Sequence, residues 1–243
     1  MSDILSHATL LTDLVSYWKL EEASGATRVD SHGSNDLTDS RTVPNDTGKF
    51  GNGALFVGAN DDYLTISDAS QTGLDATGDF SVSFWYKPTT LSGGYIFSKW
   101  RHASHNQYRL DLSSTAFTLY TSDACSGYSY SGKSWTHSMT AGVMAHYVLT
   151  YNRTTGAVEM FKNGVSLGTG TVKSAIKNCS GAFVLASQDG AYTNTADGLL
   201  DEFGFWSKIL SGAEISDLYN GGDGLPYDYV APAVTGGLLA MMD

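Results

Sequence analysis

Three stretches of this 243-residue chain carry side chains that could do chemistry. The first, DSHGSNDLTD at residues 30 to 39, gathers three Asp, one Asn and two Ser around a single Gly. Calcium takes about six to eight oxygen ligands and accepts backbone carbonyls among them, so such a loop is a candidate cation cage. Ordinary polar turns have the same composition, and the loop alone leaves both open. The second stretch is aromatic. SKWRHASHNQY (98 to 108) and CSGYSYSGKSW (125 to 135) set Trp100, Tyr128, Tyr130 and Trp135 beside Asn106, Gln107 and Asp123. Rings stack on the apolar C–H faces of sugars while amides and carboxylates take the hydroxyls, so these seven are candidate glycan contacts. The competing role for such rings is to cover loops or a sheet edge. The third stretch, GLLDEFGFW, places Asp201 and Glu202 side by side in an apolar run. Neighbours on a strand face opposite sides, so these two do not form the same-face pair that glycoside cleavage needs.

Short strands must position these residues. Alternating runs recur at FSVSFWY (80 to 86), HYVLTY (146 to 151), AVEMFKNG (157 to 164) and AFVLAS (182 to 187), and a period of two with aromatic and β-branched side chains predicts strands. Gly, Asn and Asp cluster between them, as hairpin turns require. One helix stands out: in LSGAEISDLYNGG, Ser211 and Glu214 form a capping box, Leu210 and Ile215 a hydrophobic staple, and Gly221 a stop. With 27 Gly, 4 Pro and 12% aromatic residues, the composition suits an all-β chain with many tight turns. The net charge of −11 repels nucleic-acid phosphate and anionic membrane surfaces. No stretch is long and apolar enough to cross a membrane, and the N-terminus lacks the pattern of a secretory signal. Cys125 and Cys179 lack metal-site spacing, leaving a disulfide and two thiols both open.

Five segments in order resemble the laminin G-like branch of the concanavalin A-like lectin/glucanase superfamily, in the form common in bacterial and bacteriophage surface proteins. They are LVSYWKLEEASGATRVDSHGSNDLT, GKFGNGALFVGANDDYLTI, DFSVSFWYKP, HYVLTYNRTTGAVEMFKNGVSLG and GLLDEFGFWSKILSGAEISDLYNGG. The resemblance implies a jelly-roll sandwich of two antiparallel sheets with one short C-terminal helix, spanning residues 14–222. Residues 1–13 are then an N-terminal segment and residues 223–243 a C-terminal arm. It also implies a structural calcium held by Asp30 and Asp201, with Asn35 and the backbone oxygens of Gly33 and Ser34 as companions, and with Asp36 and Asp39 solvated. Coordination would explain Asp201, because an unpaired buried carboxylate costs about several kcal/mol.

The expected function is non-catalytic: a structural or adhesive module on a bacteriophage particle, as head decoration or tail protein, able to bind host-surface glycans. The arm LPYDYVAPAVTGGLLAMMD exposes Tyr227, Tyr229, Val230, Leu238 and Leu239, an apolar surface suited to docking on a capsid or tail protein or an identical copy. A secreted or cell-surface bacterial carbohydrate-binding module is the alternative. A glycoside hydrolase comes last, for want of paired carboxylates.

Overall fold

The computed structural model describes residues 2–101, 104–188 and 195–228. After a short helix α1 (Ala8–Leu11), the first strands are β1 (Leu14–Trp18), β2 (Thr38–Ser40), β3 (Asn45–Thr47), β4 (Asn52–Phe56) and β5 (Tyr63–Ile66). Then come β6 (Phe80–Pro88), β7 (Gly94–Arg101), β8 (His105–Leu112), β9 (Ala116–Ser122) and β10 (Tyr130–Thr136). The chain continues with β11 (Ala145–Tyr151), β12 (Ala157–Lys162), β13 (Val165–Thr171), β14 (Phe183–Leu185), β15 (Gly198–Trp206) and helix α2 (Gly212–Tyr219). One sheet runs β13-β12-β11-β6-β15-β4-β3 with β1 also paired to β15, and the other runs β10-β9-β8-β7-β14-β5-β2. All strand pairs are antiparallel. This is the expected two-sheet jelly roll.

Alternation decides which side chains fill the sandwich. On β6, Phe80, Val82, Phe84 and Tyr86 join the core shared by the two sheets, while Ser81, Ser83 and Trp85 face the other way. Phe80 stacks on Phe205 at 5.5 Å and Phe84 on Phe203 at 5.9 Å, so the centre of the sandwich is built largely of rings. The β12–β13 hairpin turns on Asn163 and Gly164, at φ 52° and 75°, a conformation that Asn and Gly adopt most readily. The capping box of α2 forms as the sequence predicts: Ser211 Oγ accepts from the Glu214 amide and Glu214 Oε2 from the Ser211 amide.

The outer face of the larger sheet is not left bare. Tyr17, Val148 and Trp206 form a second apolar cluster with Ile215 and Leu218 of α2 and with Ile4, Leu10, Leu225 and Tyr227. Ile4 and Leu5 donate backbone hydrogen bonds to Pro226 and Tyr227 (2.9 and 3.3 Å), and Trp206 Nε1 donates to Leu10 (2.7 Å). The expected boundaries at residues 14 and 222 therefore cut through a packed unit. Residues 2–13 and 223–228 belong to the domain, because their apolar side chains complete this cluster. Tyr227 is not an exposed docking residue: it is 8% exposed, with its ring 5.1 Å from Tyr17. Tyr229, Val230, Leu238 and Leu239 lie outside the described residues.

Leu225→Ala is therefore expected to lower the unfolding free energy by about 2–4 kcal/mol, the range for truncating a buried leucine, measured by urea denaturation. A free arm would tolerate the change without effect.

Candidate functional site

The loop at residues 30 to 39 is a cage of amides. Asp30 accepts backbone hydrogen bonds from Tyr17 (2.9 Å), His32 (3.1 Å), Gly33 (2.9 Å) and Asn35 (3.0 Å). Three of these donors meet Oδ1 and one meets Oδ2, so amides of its own loop and of β1 hold the carboxylate. Asn35 is as fully engaged: its Nδ2 donates to Ser16 Oγ and the Thr72 carbonyl, and its Oδ1 accepts from the Thr72 amide. Gly33 contributes its N–H, and a Cβ there would lie 2.5 Å from the Val15 carbonyl oxygen, so the close approach requires glycine. Ser34 is exposed. Asp36 and Asp39 are not simply solvated: Asp36 accepts from the Asp30 amide, and Asp39 accepts from Gly25 and Val43 and pairs with buried Arg28 at 3.3 Å.

Asp201 has partners of the same kind elsewhere, accepting from the amides of Lys49 (2.5 Å), Phe50 (3.2 Å) and Glu202 (2.9 Å). It shares none of them with Asp30. As placed, Asp30, Gly33, Ser34, Asn35 and Asp201 do not form the calcium cage that the resemblance implies: Asp30, Asn35 Oδ1 and Asp201 each accept from backbone amides, Asp30 and Asp201 from separate sets. Among the described residues, no three His, Cys, Asp or Glu side chains are grouped to hold a metal ion. A bulge after Asp201 also breaks the expected alternation, with Glu202 at φ 51°. Asp201 then pairs with Trp85, whose ring packs on Tyr219 of α2, while Glu202 accepts from the Tyr17 hydroxyl at 2.6 Å. Both carboxyls thus lie on the helix-covered side, 0% and 2% exposed, closed to a polysaccharide. Burial, and next the Asp201 charge, push the Glu202 carboxyl well above its usual range.

The outer face of the smaller sheet has a different character. Along β8, Tyr108, Leu110 and Leu112 enter the core, so Arg109 and Asp111 face outward. Strand register sets Ser98 and Tyr120 beside Arg109, and Tyr95 and Thr118 beside Asp111. The Arg109 guanidinium carbon lies 4.8 Å from the Tyr120 ring centre, 4.9 Å from Trp100 and 5.5 Å from Tyr95, cation–π distances to three rings. Its Nη1 donates to Gln188 Oε1 at 3.3 Å, and its Nε is 3.1 Å from Asp111 Oδ1, an ion pair without hydrogen-bond alignment. Trp100 Nε1, Arg109 Nε and Asp111 Oδ1 have no hydrogen-bond partner among the described residues. Burial pushes the Asp111 carboxyl up to about 7 against the pull of Arg109. Gly132 stands opposite Tyr120, and a Cβ there would be 2.6 Å from the ring, so glycine lets the ring lie across β10.

Three of the seven predicted glycan residues lie at this face, although Trp100 is wholly buried against Arg109, at 0% exposure. Trp100 meets Tyr130 edge-on at 5.5 Å, and Tyr128, 79% exposed, stands 6.4 Å beyond Tyr130. The other four are supports. Buried Asn106 and Gln107 donate to the carbonyls of Gly127 and Asp75. Trp135 joins the core and donates to the Gly168 carbonyl, and Asp123 pairs with Lys173 at 3.1 Å. Cys125 and Cys179 form a disulfide that ties the β9–β10 loop, which carries Tyr128, to the segment before β14. Sequence reasoning passed over Tyr95, Arg109, Asp111, Tyr120 and Gln188. Their signal is in YRLDL, where two charged residues at i and i+2 alternate with core positions.

The sequence profile of the concanavalin A-like lectin/glucanases superfamily matches residues 58–216. No protein of the curated set matches by sequence. Among solved structures, the binding domain of Paraclostridial Mosquitocidal Protein 1 is similar at TM-score 0.67 and 14% identity, over 87% of this chain and 53% of that one. A botulinum neurotoxin type C structure described by its interaction with two ganglioside molecules has TM-score 0.67 and 15% identity, over 88% and 52%. The chain spans about half the length of these toxin domains. Domain 4 of an extracellular arabinanase from Geobacillus stearothermophilus, in complex with arabinotriose, has TM-score 0.63 and 20% identity, over 84% of this chain and 97% of that one.

The amide cage makes a stability prediction. Asp30→Ala leaves buried N–H groups unpaired and is expected to cost about 2–4 kcal/mol in urea unfolding. Chelation by EDTA is expected to leave the melting temperature of the unmodified protein unchanged, whereas a calcium-dependent loop would lose stability in EDTA and regain it with added calcium.

Proposed function

Because the chain belongs to the concanavalin A-like lectin/glucanase superfamily, we propose that it is a non-catalytic carbohydrate-binding module whose sugar site is the outer face of the β10-β9-β8-β7 sheet. The observation that carries this reading is the Arg109 guanidinium seated on Tyr95, Trp100 and Tyr120 with Asp111 and Gln188 beside it. Half-buried Tyr95 and Tyr120 and exposed Tyr128 supply ring surface for sugar C–H groups, and a side-by-side donor and acceptor suit a pair of vicinal hydroxyls. The likeness to the arabinanase domain supports it, since that domain is similar over 97% of its length and is complexed with arabinotriose.

Absence of catalysis is part of the proposal, as Asp201 and Glu202 are sealed beneath the helix side. The disulfide suits an oxidising, extracellular or surface-exposed setting. Display on a bacteriophage particle beside capsid or tail proteins, or on a bacterial surface, is compatible with such a module. The sequence support for the virion setting lies in apolar terminal segments, and residues 2–13 and 223–228 of these fold into the domain itself.

Titration calorimetry with arabinotriose and a panel of other neutral oligosaccharides tests the site. Tyr120→Ala is expected to weaken the best-bound sugar about tenfold, equivalent to about 1.4 kcal/mol, with the melting temperature little changed. Equal affinity in the variant and the unmodified protein would place the sugar elsewhere.

A further inference from the structure

On the platform just described, Arg109 is a cation that a negatively charged sugar would be expected to seek. Guanidinium groups bind carboxylates strongly and with defined geometry. Here the guanidinium already has a carboxylate against it, with Asp111 Oδ1 3.1 Å from Nε. Both side chains are largely covered, at 15% and 24% exposure, so solvent does little to screen the pair.

We infer that Asp111 is the specificity-determining residue of this face: by neutralising Arg109 it admits uncharged sugars and turns away sugars that carry a carboxylate, such as uronic or sialic acids. This rests on the carbohydrate-binding reading above. A sugar carboxylate reaching Arg109 must share the guanidinium with Asp111, and two carboxylates on one cation repel. Sugar hydroxyls meet no such opposition, because they donate to Asp111 and accept from Arg109. The chain's net charge of −11 adds a long-range term of the same sign.

The same geometry makes the discrimination depend on pH. The groups that face Asp111 are Arg109 on its own strand, Tyr95 on β7 and Thr118 on β9. Of these, Arg109 is the cation that pairs with it. Burial holds the Asp111 carboxyl up near 7. Above that value Asp111 is ionised and Arg109 is compensated. Below it Asp111 is neutral, Arg109 is uncompensated, and acidic sugars gain.

Titration calorimetry at about pH 8 with arabinotriose as neutral probe, and with trigalacturonate and sialyllactose as acidic probes, tests this. In Asp111→Asn the ratio of acidic to neutral affinity is expected to rise about tenfold over the unmodified protein. Asp111→Glu, which keeps the charge, is expected to keep the discrimination. Moving the unmodified protein to about pH 5.5 should shift its ratio as the Asn substitution does, while the Asn variant stays flat between the two conditions. Arabinotriose binding with an unchanged ratio in Asp111→Asn overturns the inference and leaves the carbohydrate-binding reading standing. If no probe binds the unmodified protein or the Asn variant, both fall. A melting curve for each variant separates lost binding from lost folding.

Discussion

A β-sheet has two faces, and a sandwich of two sheets commits one face of each to the shared core. What each outer face does is the constraint on which the rest of this molecule depends. The larger sheet leaves an apolar outer surface at Tyr17, Val148 and Trp206, which must be covered. Helix α2, the first residues of the chain and the stretch through Tyr227 together cover it. The outer face of the smaller sheet carries a mixed set of rings, charges and hydroxyls, with Ser98 and Trp100 buried and Tyr95, Arg109, Asp111 and Tyr120 half-buried. The face proposed for binding is therefore that of the smaller sheet, both by composition and because α2 and the terminal segments cover the larger sheet's outer face.

Polar groups enforce the arrangement. Asp30 satisfies three backbone amides of its own loop and that of Tyr17 on β1, and Arg28 donates to the carbonyls of Ala23, Ala26 and Val43 while paired with Asp39. Buried Lys99 does the same across the sandwich edge, bound to Asp68 and Asp75 and donating to the Cys179 carbonyl. Each of these side chains stands in for hydrogen bonds that irregular backbone would otherwise lose on burial. The disulfide and Asn106 then hold the β9–β10 loop so that Tyr128 and Tyr130 stand next to Trp100.

Local signals in the sequence translated well. The Ser211–Glu214 cap, the Asn163–Gly164 turn and the alternation of β6 depend on residues a few positions apart, and all three form as the sequence indicates. Long-range chemistry was less legible. An Asp-rich loop looks the same whether its carboxylates meet a cation or backbone amides, because only the fold decides which atoms arrive. Tyr227 reads as a sticky arm until its partners Tyr17 and His32, about two hundred positions earlier, are seen beside it. Cys125 and Cys179, 54 residues apart, likewise needed the fold to be paired. The proposed sugar face falls in between. Trp100, Tyr128 and Tyr130 are candidates by residue type, whereas Arg109 and Asp111 need the recognition that YRLDL turns its charged side chains away from the core.

The central claim is that the outer face of the smaller sheet, and not another surface, receives the sugar. Mapping amide chemical shifts by nuclear magnetic resonance during an arabinotriose titration tests it most directly. Saturable shifts are expected to concentrate at Tyr95, Arg109, Asp111 and Tyr120. Shifts confined to the depression formed by Ser34, Asp36, Thr38, Thr65 and Ser67, with the Arg109 face silent, would contradict it.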